Sequence, residues 1–370
     1  ATGNIGFHLQ FLSTIQTTGA GLLTMTGIGD QNGRSSNAIG LANEGAGGFA
    51  KIQATGTGSI VLNCIGAQSS TAGGHTGFFT LSGGEVTATS GSITINGTGG
   101  TVSTWNSNIG LRGSGTNAIG SATMTGDISI QAVGAPVGGS SNQGILIGCV
   151  IQTQGNIFIT GPGGGANPVA GVITGTGTGN IGISIIGTQI NSLGSHPLTI
   201  SAVGDLNGIA GTSDRGLLMN GAVISAASGN ITLTVVGAPN SSGSNIGLLN
   251  TSSTITTAGS ISINATGGGN FVGNNNIGVS SNGTISSTGA LAADSVTIVG
   301  VSGGRGTGNQ GVALSGGSVS SSGGNISVTG TGGTTSGNTS QGIILSNASA
   351  NITSANGNIS LTGNGGFGSN

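Results

Sequence analysis

One short motif recurs along the whole chain and limits the folds that the chain can form. The motif is a glycine and a small polar residue followed by an apolar–polar–apolar triplet, as in Gly91-Ser-Ile-Thr-Ile95. Its first apolar residue occurs eleven times, at intervals of 29–41 residues that average 33.6. These markers are Leu23, Ile60, Ile93, Ile128, Ile157, Leu198, Ile231, Ile261, Val296, Ile326 and Ile359. Such a period predicts a repeat architecture in which each repeat packs on its neighbours.

Most periods contain two further strand signals. One reads Asn-Ile-Gly-Leu or Gly-Ile-x-Leu, with its first apolar residue at Ile5, Ile39, Phe78, Ile109, Ile145, Ile181, Leu217, Ile246, Ile277, Val312 and Ile343. The other is a short Ile/Val-Thr/Ser run, legible in nine repeats at Ile15, Val86, Ile151, Ile190, Ile224, Ile255, Ile285, Val319 and Ile352. We therefore predict an all-β fold, a right-handed parallel β-helix (β-solenoid) of about eleven coils with three short strands per coil. Residues 1–370 are predicted to form a single β-solenoid domain.

Composition agrees with this fold and excludes others. Glycine occupies 82 positions without a three-residue period and proline only five, which excludes collagen. Apolar residues make up 34% of the chain, enough for a thin aliphatic core, whereas the helix formers Glu, Lys and Arg are nearly absent. Because so few groups titrate, we expect stability that is nearly indifferent to pH.

Charge and hydropathy limit the partners. The net charge of −2 and the lack of a basic stripe predict no nucleic-acid partner. No apolar run reaches the roughly 20 residues that span a bilayer, so no membrane span is predicted. From the composition we expect a secreted protein that is extracellular or at the cell surface.

The middle residue of the recurring triplet is predicted to face solvent in every coil. At nine of the eleven positions it is Ser or Thr, and Val61 and Phe158 are the exceptions. This predicts an uncharged Ser/Thr ladder, made of Thr24, Thr94, Ser129, Thr199, Thr232, Ser262, Thr297, Ser327 and Ser360. Cross-strand hydroxyl pairs suit such a column.

A second candidate surface is the outward position of the first strand. The residue before the strand is Asn or Gly in ten coils, which predicts a left-handed corner there. The outward residue is glycine where the corner is Asn and bulkier where the corner is Gly, and it is never charged. We predict a lateral apolar face that touches a partner or is covered by loops of the same chain, made of Gly6, Phe79, Gly110, Leu146, Gly182, Leu218, Gly247, Gly278, Ala313 and Ile344.

No polar cap is legible at either end of the repeat, so the solenoid is expected to be uncapped at both ends. A second copy placed end to end would continue the repeat in phase, because 16 residues would separate Ile359 from the next Ile5, as they separate Ile261 from Ile277. We therefore predict head-to-tail self-association into a homopolymer, with possible lateral bundling, or a piece cut from a longer repetitive polypeptide. The candidate contacts are Asn4, Ile5, Phe7, Ile15, Leu23, Ile343, Ile352, Ile359 and Leu361.

Residues that could carry chemistry are scattered. Only Asp205, Asp214 and Arg215 approach one another in sequence, and we interpret them as a charged loop pair. The three histidines show no metal-ligand spacing. Cys64 and Cys149 are too many coils apart for a disulfide and are predicted to be free thiols. The sequence predicts no catalytic residue, no metal site, no cofactor and no enzyme activity.

The run Ile-Thr-Thr-Ala-Gly-Ser-Ile-Ser-Ile-Asn at residues 255–264, with its many variants, resembles the repeats of filamentous-haemagglutinin-type and autotransporter-passenger proteins. This resemblance implies export, a right-handed β-helix and an adhesive or biofilm role. Cell-surface or matrix glycans are candidate partners. The preferred function is therefore the subunit or shaft of an extracellular filament or adhesin. Two alternatives stay open: a surface that binds ice or a crystalline glycan through the Ser/Thr ladder, and a polysaccharide lyase or hydrolase.

Overall fold

The fold was analysed in a computed structural model of the chain. The structure describes residues 3–32, 36–45, 48–68, 72–101, 106–135, 139–164, 177–205, 212–239, 243–268, 273–333 and 339–366. In these residues every regular element is a β-strand, and every strand pairing is parallel. The chain is a parallel β-solenoid, as the repeat predicts.

The third strand of each coil belongs to an eleven-stranded sheet in which neighbours follow the order of the chain. We call this the third-strand sheet. Its members are β3 (Leu23–Asp30), β6 (Ile60–Ala67), β9 (Ile93–Gly100), β11 (Ile128–Val133), β13 (Ile157–Gly164), β16 (Leu198–Asp205), β19 (Ile231–Ala238), β22 (Ile261–Gly268), β25 (Val296–Val301), β28 (Ile326–Thr331) and β31 (Ile359–Asn364). All eleven markers, from Leu23 to Ile359, pair with one another in register, which confirms the predicted repeat.

The first and second strands of the coils form a second, 20-stranded sheet. The first strands are β1 (Ile5–Gln10), β4 (Ile39–Glu44), β7 (Thr76–Leu81), β10 (Ile109–Gly120), β12 (Gln143–Thr153), β14 (Ile181–Ile186), β17 (Arg215–Asn220), β20 (Ile246–Thr251), β23 (Ile277–Ser281), β26 (Gln310–Leu314) and β29 (Gln341–Leu345). The second strands are β2 (Thr14–Thr18), β5 (Ala50–Thr55), β8 (Gly84–Ala88), β15 (Gln189–Ser192), β18 (Val223–Ala226), β21 (Thr254–Thr257), β24 (Thr284–Ser287), β27 (Ser318–Ser321) and β30 (Asn351–Ser354). Strands β10 and β12 are longer, and each contains both the first and the second strand of its coil.

The second strand is also present in the second and fourth coils, where the sequence pattern did not reveal it. Ile52 of β5 pairs with Ile15 and Val86, and Ile119 of β10 pairs with Val86 and Ile151. Both side chains are fully buried. In coil two the flanking residues are Lys51 and Gln53, which hide the Thr/Ser part of the pattern.

A thin aliphatic core runs between the two sheets. All three strands of a coil contribute to it, as with Leu41, Ile52, Ile60 and Leu62 in the second coil, and these side chains are fully buried. The alternation of inward and outward residues along the second and third strands makes every inward position there a continuous column. Isoleucine, leucine and valine suit these columns because branched side chains pack well on a pleated surface.

Glycine fills one column completely, at the second residue of the first-strand motif. Its members are Gly6, Gly40, Gly77, Gly110, Gly144, Gly182, Gly216, Gly247, Gly278, Gly311 and Gly342. A Cβ at Gly182 would stand 2.6 Å from backbone atoms of Gly161, Gly216 and Val203. The first strand and the end of the third strand therefore pack backbone against backbone, which only glycine permits.

A second glycine column lies opposite, near the end of the third strand. It consists of Gly29, Gly66, Gly99, Gly134, Gly163, Gly204, Gly237, Gly267, Gly332 and Gly365, with Ser302 as the one exception. A Cβ at Gly204 would lie 2.6 Å from the carbonyl oxygen of Arg215 in the next first strand. Except at Ser302, the two glycine columns close one corner of the coil without a side chain between the strands.

Candidate functional surfaces and buried polar columns

The Ser/Thr ladder forms one continuous column on the outer surface of the third-strand sheet. Its nine Ser and Thr residues, with Val61 and Phe158, pair in register from β3 to β31 and are partly or fully exposed. Within the described residues, the ladder hydroxyls have no hydrogen-bond partner in the protein. They are therefore open to water or to a ligand.

Two more outward columns run beside the ladder. The next is mainly Thr, Asn and Ser: Thr26, Asn63, Asn96, Gln131, Thr160, Ser201, Thr234, Asn264, Val299, Thr329 and Thr362. The outermost is mainly β-branched: Ile28, Ile65, Thr98, Val133, Pro162, Val203, Val236, Thr266, Val301, Thr331 and Asn364. We call these three columns together the hydroxyl face. None of its 33 residues carries a charge.

The predicted lateral apolar face is wrong, because its members belong to two different columns. Gly6, Gly110, Gly182, Gly247 and Gly278 lie in the first glycine column and face the third strand. Phe79, Leu146, Leu218, Ala313 and Ile344 lie in the outward column two residues further along the strand. In five coils the apolar residue used to mark the first strand lies two residues after the position equivalent to Ile5. This shift produced the apparent alternation of glycine with bulky residues.

The true outward column of the first strand is mixed in character. It runs through His8, Ala42, Phe79, Arg112, Leu146, Ser184, Leu218, Leu249, Ser280, Ala313 and Ile344. Arg112 lies over the ring of Phe79, with 5.6 Å between its guanidinium carbon and the ring centroid. The column is therefore not free of charge, contrary to the prediction.

The position before each first strand is a buried column of asparagine that the sequence analysis missed. It consists of Asn4, Ala38, His75, Asn108, Asn142, Asn180, Asp214, Asn245, Asn276, Asn309 and Ser340. The members from Ala38 to Asn309 are fully buried. We call it the asparagine column. The signal was present as Asn-x-Gly-apolar, which recurs in eight coils if Asp214 counts as a variant of Asn.

From His75 to Asn309, each side chain of the asparagine column accepts the backbone N–H of the member of the column in the preceding coil. The bonds are unbroken from the amide of Ala38 to the side chain of Asn309, with lengths of 2.7–3.2 Å. Asn108 and Asn245 also donate from Nδ2 to Oδ1 of the next asparagine. These bonds satisfy backbone N–H groups that would otherwise be buried without a partner at the corners of eight coils.

The left-handed corner lies one residue before the asparagine column, and not at it. Positive φ occurs at Asn37, Gly74, Ser107, Ser141, Gly179, Ser213, Ser244, Asn275, Gly308 and Thr339. The prediction that the Asn or Gly before the strand takes this conformation is wrong. The asparagine is selected for its side-chain oxygen, and serine is accepted at the strained residue before it in four coils.

Asp214 occupies the asparagine column, and its interpretation as part of a charged loop pair is wrong. Asp214 and Asp205 are both fully buried. Oδ1 of Asp214 accepts the amide of Asn180 at 2.7 Å, and Nδ2 of Asn180 donates to Oδ2 of Asp205 at 3.2 Å. Burial, together with the nearby Asp205, raises the pKa of Asp214 to about 8, although the bonds from backbone amides lower it. Asp214 is therefore protonated at neutral pH.

His75 is the second ionisable member of the asparagine column. Its Nδ1 accepts the amide of Ala38 at 3.2 Å, so the proton is on Nε2, which donates to the carbonyl of Ala72 at 2.7 Å. Burial lowers the pKa of His75, while the bond to Ala72 and the nearby Asp30 act in the opposite direction. The neutral imidazole thus takes the place of an asparagine amide.

A second buried polar column lies at the corner between the second and third strands. Thr153, Ser192, Thr257, Ser287, Ser321 and Ser354 turn their hydroxyls inward and donate to backbone carbonyls of the corner. Thr257 Oγ1, for example, donates to Gly229 at 2.6 Å and accepts the amide of Gly259 at 2.9 Å. Uncharged side chains therefore hydrogen-bond the backbone at two corners of the coil, before the first strand and between the second and third strands.

The predicted end-to-end residues lie on the first and last coils and differ in orientation. Leu23 and Ile15 of the first coil, and Ile343 and Ile352 of the last, pack against the core. Phe7, Ile359 and Leu361 align with buried core residues of neighbouring coils but are 37%, 45% and 50% exposed. Asn4 begins the asparagine column, and Ile5 faces outward, level with Ile39.

Other candidate chemistry is not assembled in the described part of the chain. No group of three or more His, Cys, Asp or Glu residues there could hold a metal ion. Cys64 and Cys149 are buried free thiols, as predicted. None of the described residues belongs to a helix with the length and hydropathy to cross a membrane.

Comparison of the chain with protein-family models, with curated proteins and with solved structures finds no match.

Proposed function

We propose that the chain is a structural shaft, a segment of an extracellular filament or adhesin that lengthens by stacking coil upon coil. The observation that supports this most directly is the unbroken register in which all eleven coils stack. The strands of the first and last coils continue every column of the solenoid, and core-facing side chains such as Ile359 and Leu361 stand half exposed at the edge. A further coil on these edges would bury that apolar surface and pair the open strands.

The interior also suits a structural role. The glycine columns, the asparagine column and the inward hydroxyls hold the coils in one register with neutral groups. The most deeply placed acids, Asp205 and Asp214, are buried and bonded to the asparagine column, so we propose no hydrolytic role for them. The likeness to filamentous-haemagglutinin-type and autotransporter-passenger repeats supports the same proposal at the level of pattern.

The coil that meets each edge can come from adjoining polypeptide or from a second copy, and the second source can be tested directly. The purified chain, imaged by negative-stain electron microscopy over a concentration series, should form rods joined end to end. The register would place Ile359 and Leu361 against Leu23 and Met25 of the next copy.

A pair of variants makes this test specific. I359K/L361K places two charges in the core-facing positions of β31 and should abolish stacking. S360K/T362K places the same charges on the same strand in outward positions and should leave stacking intact. Single rods at every concentration, or equal effects of the two variants, would refute self-stacking.

A further inference from the structure

An exposed aromatic ring interrupts the neutral hydroxyl face near its middle. Phe158 of β13 occupies the Ser/Thr ladder between Ser129 and Thr199 and is 42% exposed. The ring therefore projects from a surface of much smaller side chains. A large apolar group at an outward position where nine of eleven coils carry a hydroxyl is not required by the core.

Polar groups without charge surround the ring. Gln131 and Thr160 lie in the next column, one on the preceding strand and one on the same strand, and both are exposed. On the other side, Asn156 donates from its backbone N–H and from Nδ2 to Oδ1 of Asp127, each at 2.8 Å. Asp127 precedes the ladder strand and lies outside the three columns of the hydroxyl face.

This combination fits one class of ligand. We infer that the hydroxyl face binds a neutral polysaccharide, with one sugar ring stacked on Phe158 and its hydroxyls bonded to Gln131 and Thr160. A pyranose presents a C–H face that packs on an aromatic ring and an equatorial rim of hydroxyls that pairs with amides and hydroxyls. An uncharged surface favours a neutral chain, since an ionised partner would lose hydration without gaining a counter-charge.

The regular spacing of the face supports a long ligand. Equivalent side chains repeat about every 4.8 Å along the rod, and neighbouring columns are about 6.6 Å apart along the strand. A polymer lying on the face can therefore repeat the same hydrogen bonds over many coils. An ice surface, in contrast, requires a flat face, and the ring of Phe158 breaks the plane.

The inference goes beyond the proposed shaft and does not depend on self-stacking. Binding is therefore measured in the I359K/L361K background, where the rods stay single, so a failure of either idea can be told from a failure of the other. The probes are microcrystalline cellulose and chitin in pull-down assays, and soluble xyloglucan and amylose in affinity electrophoresis.

Three variants test how much the aromatic ring of Phe158 contributes to binding. F158T installs the residue type that the ladder carries elsewhere, so folding is retained, and it should weaken binding about tenfold. F158L keeps apolar bulk without the aromatic face and should weaken binding as well. F49T is the matched control, because Phe49 is 51% exposed beside the second strand of coil two, and it should leave binding unchanged.

Three results would overturn the inference. These are binding to none of the four probes, equal binding by the parent and F158T, and equal losses in F158T and F49T. Thermal hysteresis and ice pull-down serve as a further arm. If ice binding or thermal hysteresis increases in F158T, the hydroxyl face orders water. Ice would then replace the polysaccharide as the proposed ligand.

Discussion

The amide of Asn180 donates to Oδ1 of Asp214 over 2.7 Å, so a buried carboxyl group does the work of an asparagine amide. Asp214 differs from an asparagine at this position in its second side-chain oxygen, Oδ2, which can carry a charge. Oδ2 of Asp214 has no hydrogen-bond partner among the described residues, and an ionised carboxylate there would be both buried and close to Asp205. The column tolerates Asp214 because the group keeps its proton.

Asp214 should make stability depend on pH on the alkaline side. Its pKa is about 8 in the folded chain and about 4 when unfolded, so the folded state holds one more proton between these values. The free energy of unfolding should therefore fall as pH rises from about 4 to about 8 and level off above. D214N should be more stable at pH 8 and lose this slope, as measured by urea unfolding. D127N changes a partly exposed carboxylate and is the control; equal slopes in D214N and the parent would contradict the assignment.

His75 should act in the opposite direction. Because burial lowers its pKa, the unfolded chain takes up a proton below about pH 6.5 while the folded chain does not. Stability should then fall as pH drops below about 6.5, until the folded form is protonated too. H75N restores the common residue of the column and should flatten the acid side of the urea-midpoint profile. H196N removes an exposed histidine for comparison, and an unchanged acid slope in H75N would exclude His75 as its source.

The glycine columns should be intolerant of a single methyl group. G182A would place a Cβ 2.6 Å from three backbone atoms, and we expect a loss of about 3 kcal/mol in the free energy of unfolding. G148A is the matched control, since its nearest contact would be 3.3 Å away and it should change stability by about 0.5 kcal/mol or less. Thermal and urea unfolding of both variants decide the matter. Similar losses would mean that backbone freedom, and not close approach, explains these glycines.

The two thiols should be inert in the folded chain. Burial raises the pKa of Cys149 to about 12, and it raises the pKa of Cys64 as well. Since the thiolate is the reactive form, a disulfide reagent at pH 8 should modify neither cysteine until the coils open, and both in urea. The labelling rate then reports local opening of coils two and five. Rapid modification of native protein would place the thiols at the surface.

The third-strand register could be predicted from the sequence because the same triplet, with apolar residues at its first and third positions, recurs in all eleven coils. The first strand was harder. A glycine there is flanked by apolar residues on both sides in six coils, such as Ile39 and Leu41 around Gly40, and only the second of the two enters the core. Gly40 and Leu41 both face inward, which breaks the alternation on which the alignment relied.

The buried polar groups could be predicted only in part. Asn-x-Gly-apolar was visible as a pattern, but a purely local interpretation assigns Asn before a strand to a turn. Its role as an acceptor for the coil below depends on exact stacking, which requires the register of the first strand. The same holds for Asp214 and His75, whose shifted pKa values predict a pH dependence of stability that the small number of charges did not suggest.

The stacking direction has a mechanical consequence. Hydrogen bonds between parallel strands of successive coils point along the long axis, so tension on the two ends acts on every level in series. A coil of about 33.6 residues adds only about 4.8 Å while stacked, but releases roughly 110 Å of chain once it peels away. Under tension, a tether of this design would lengthen in steps as one coil after another unfolds. It would stay attached at both ends while it lengthens.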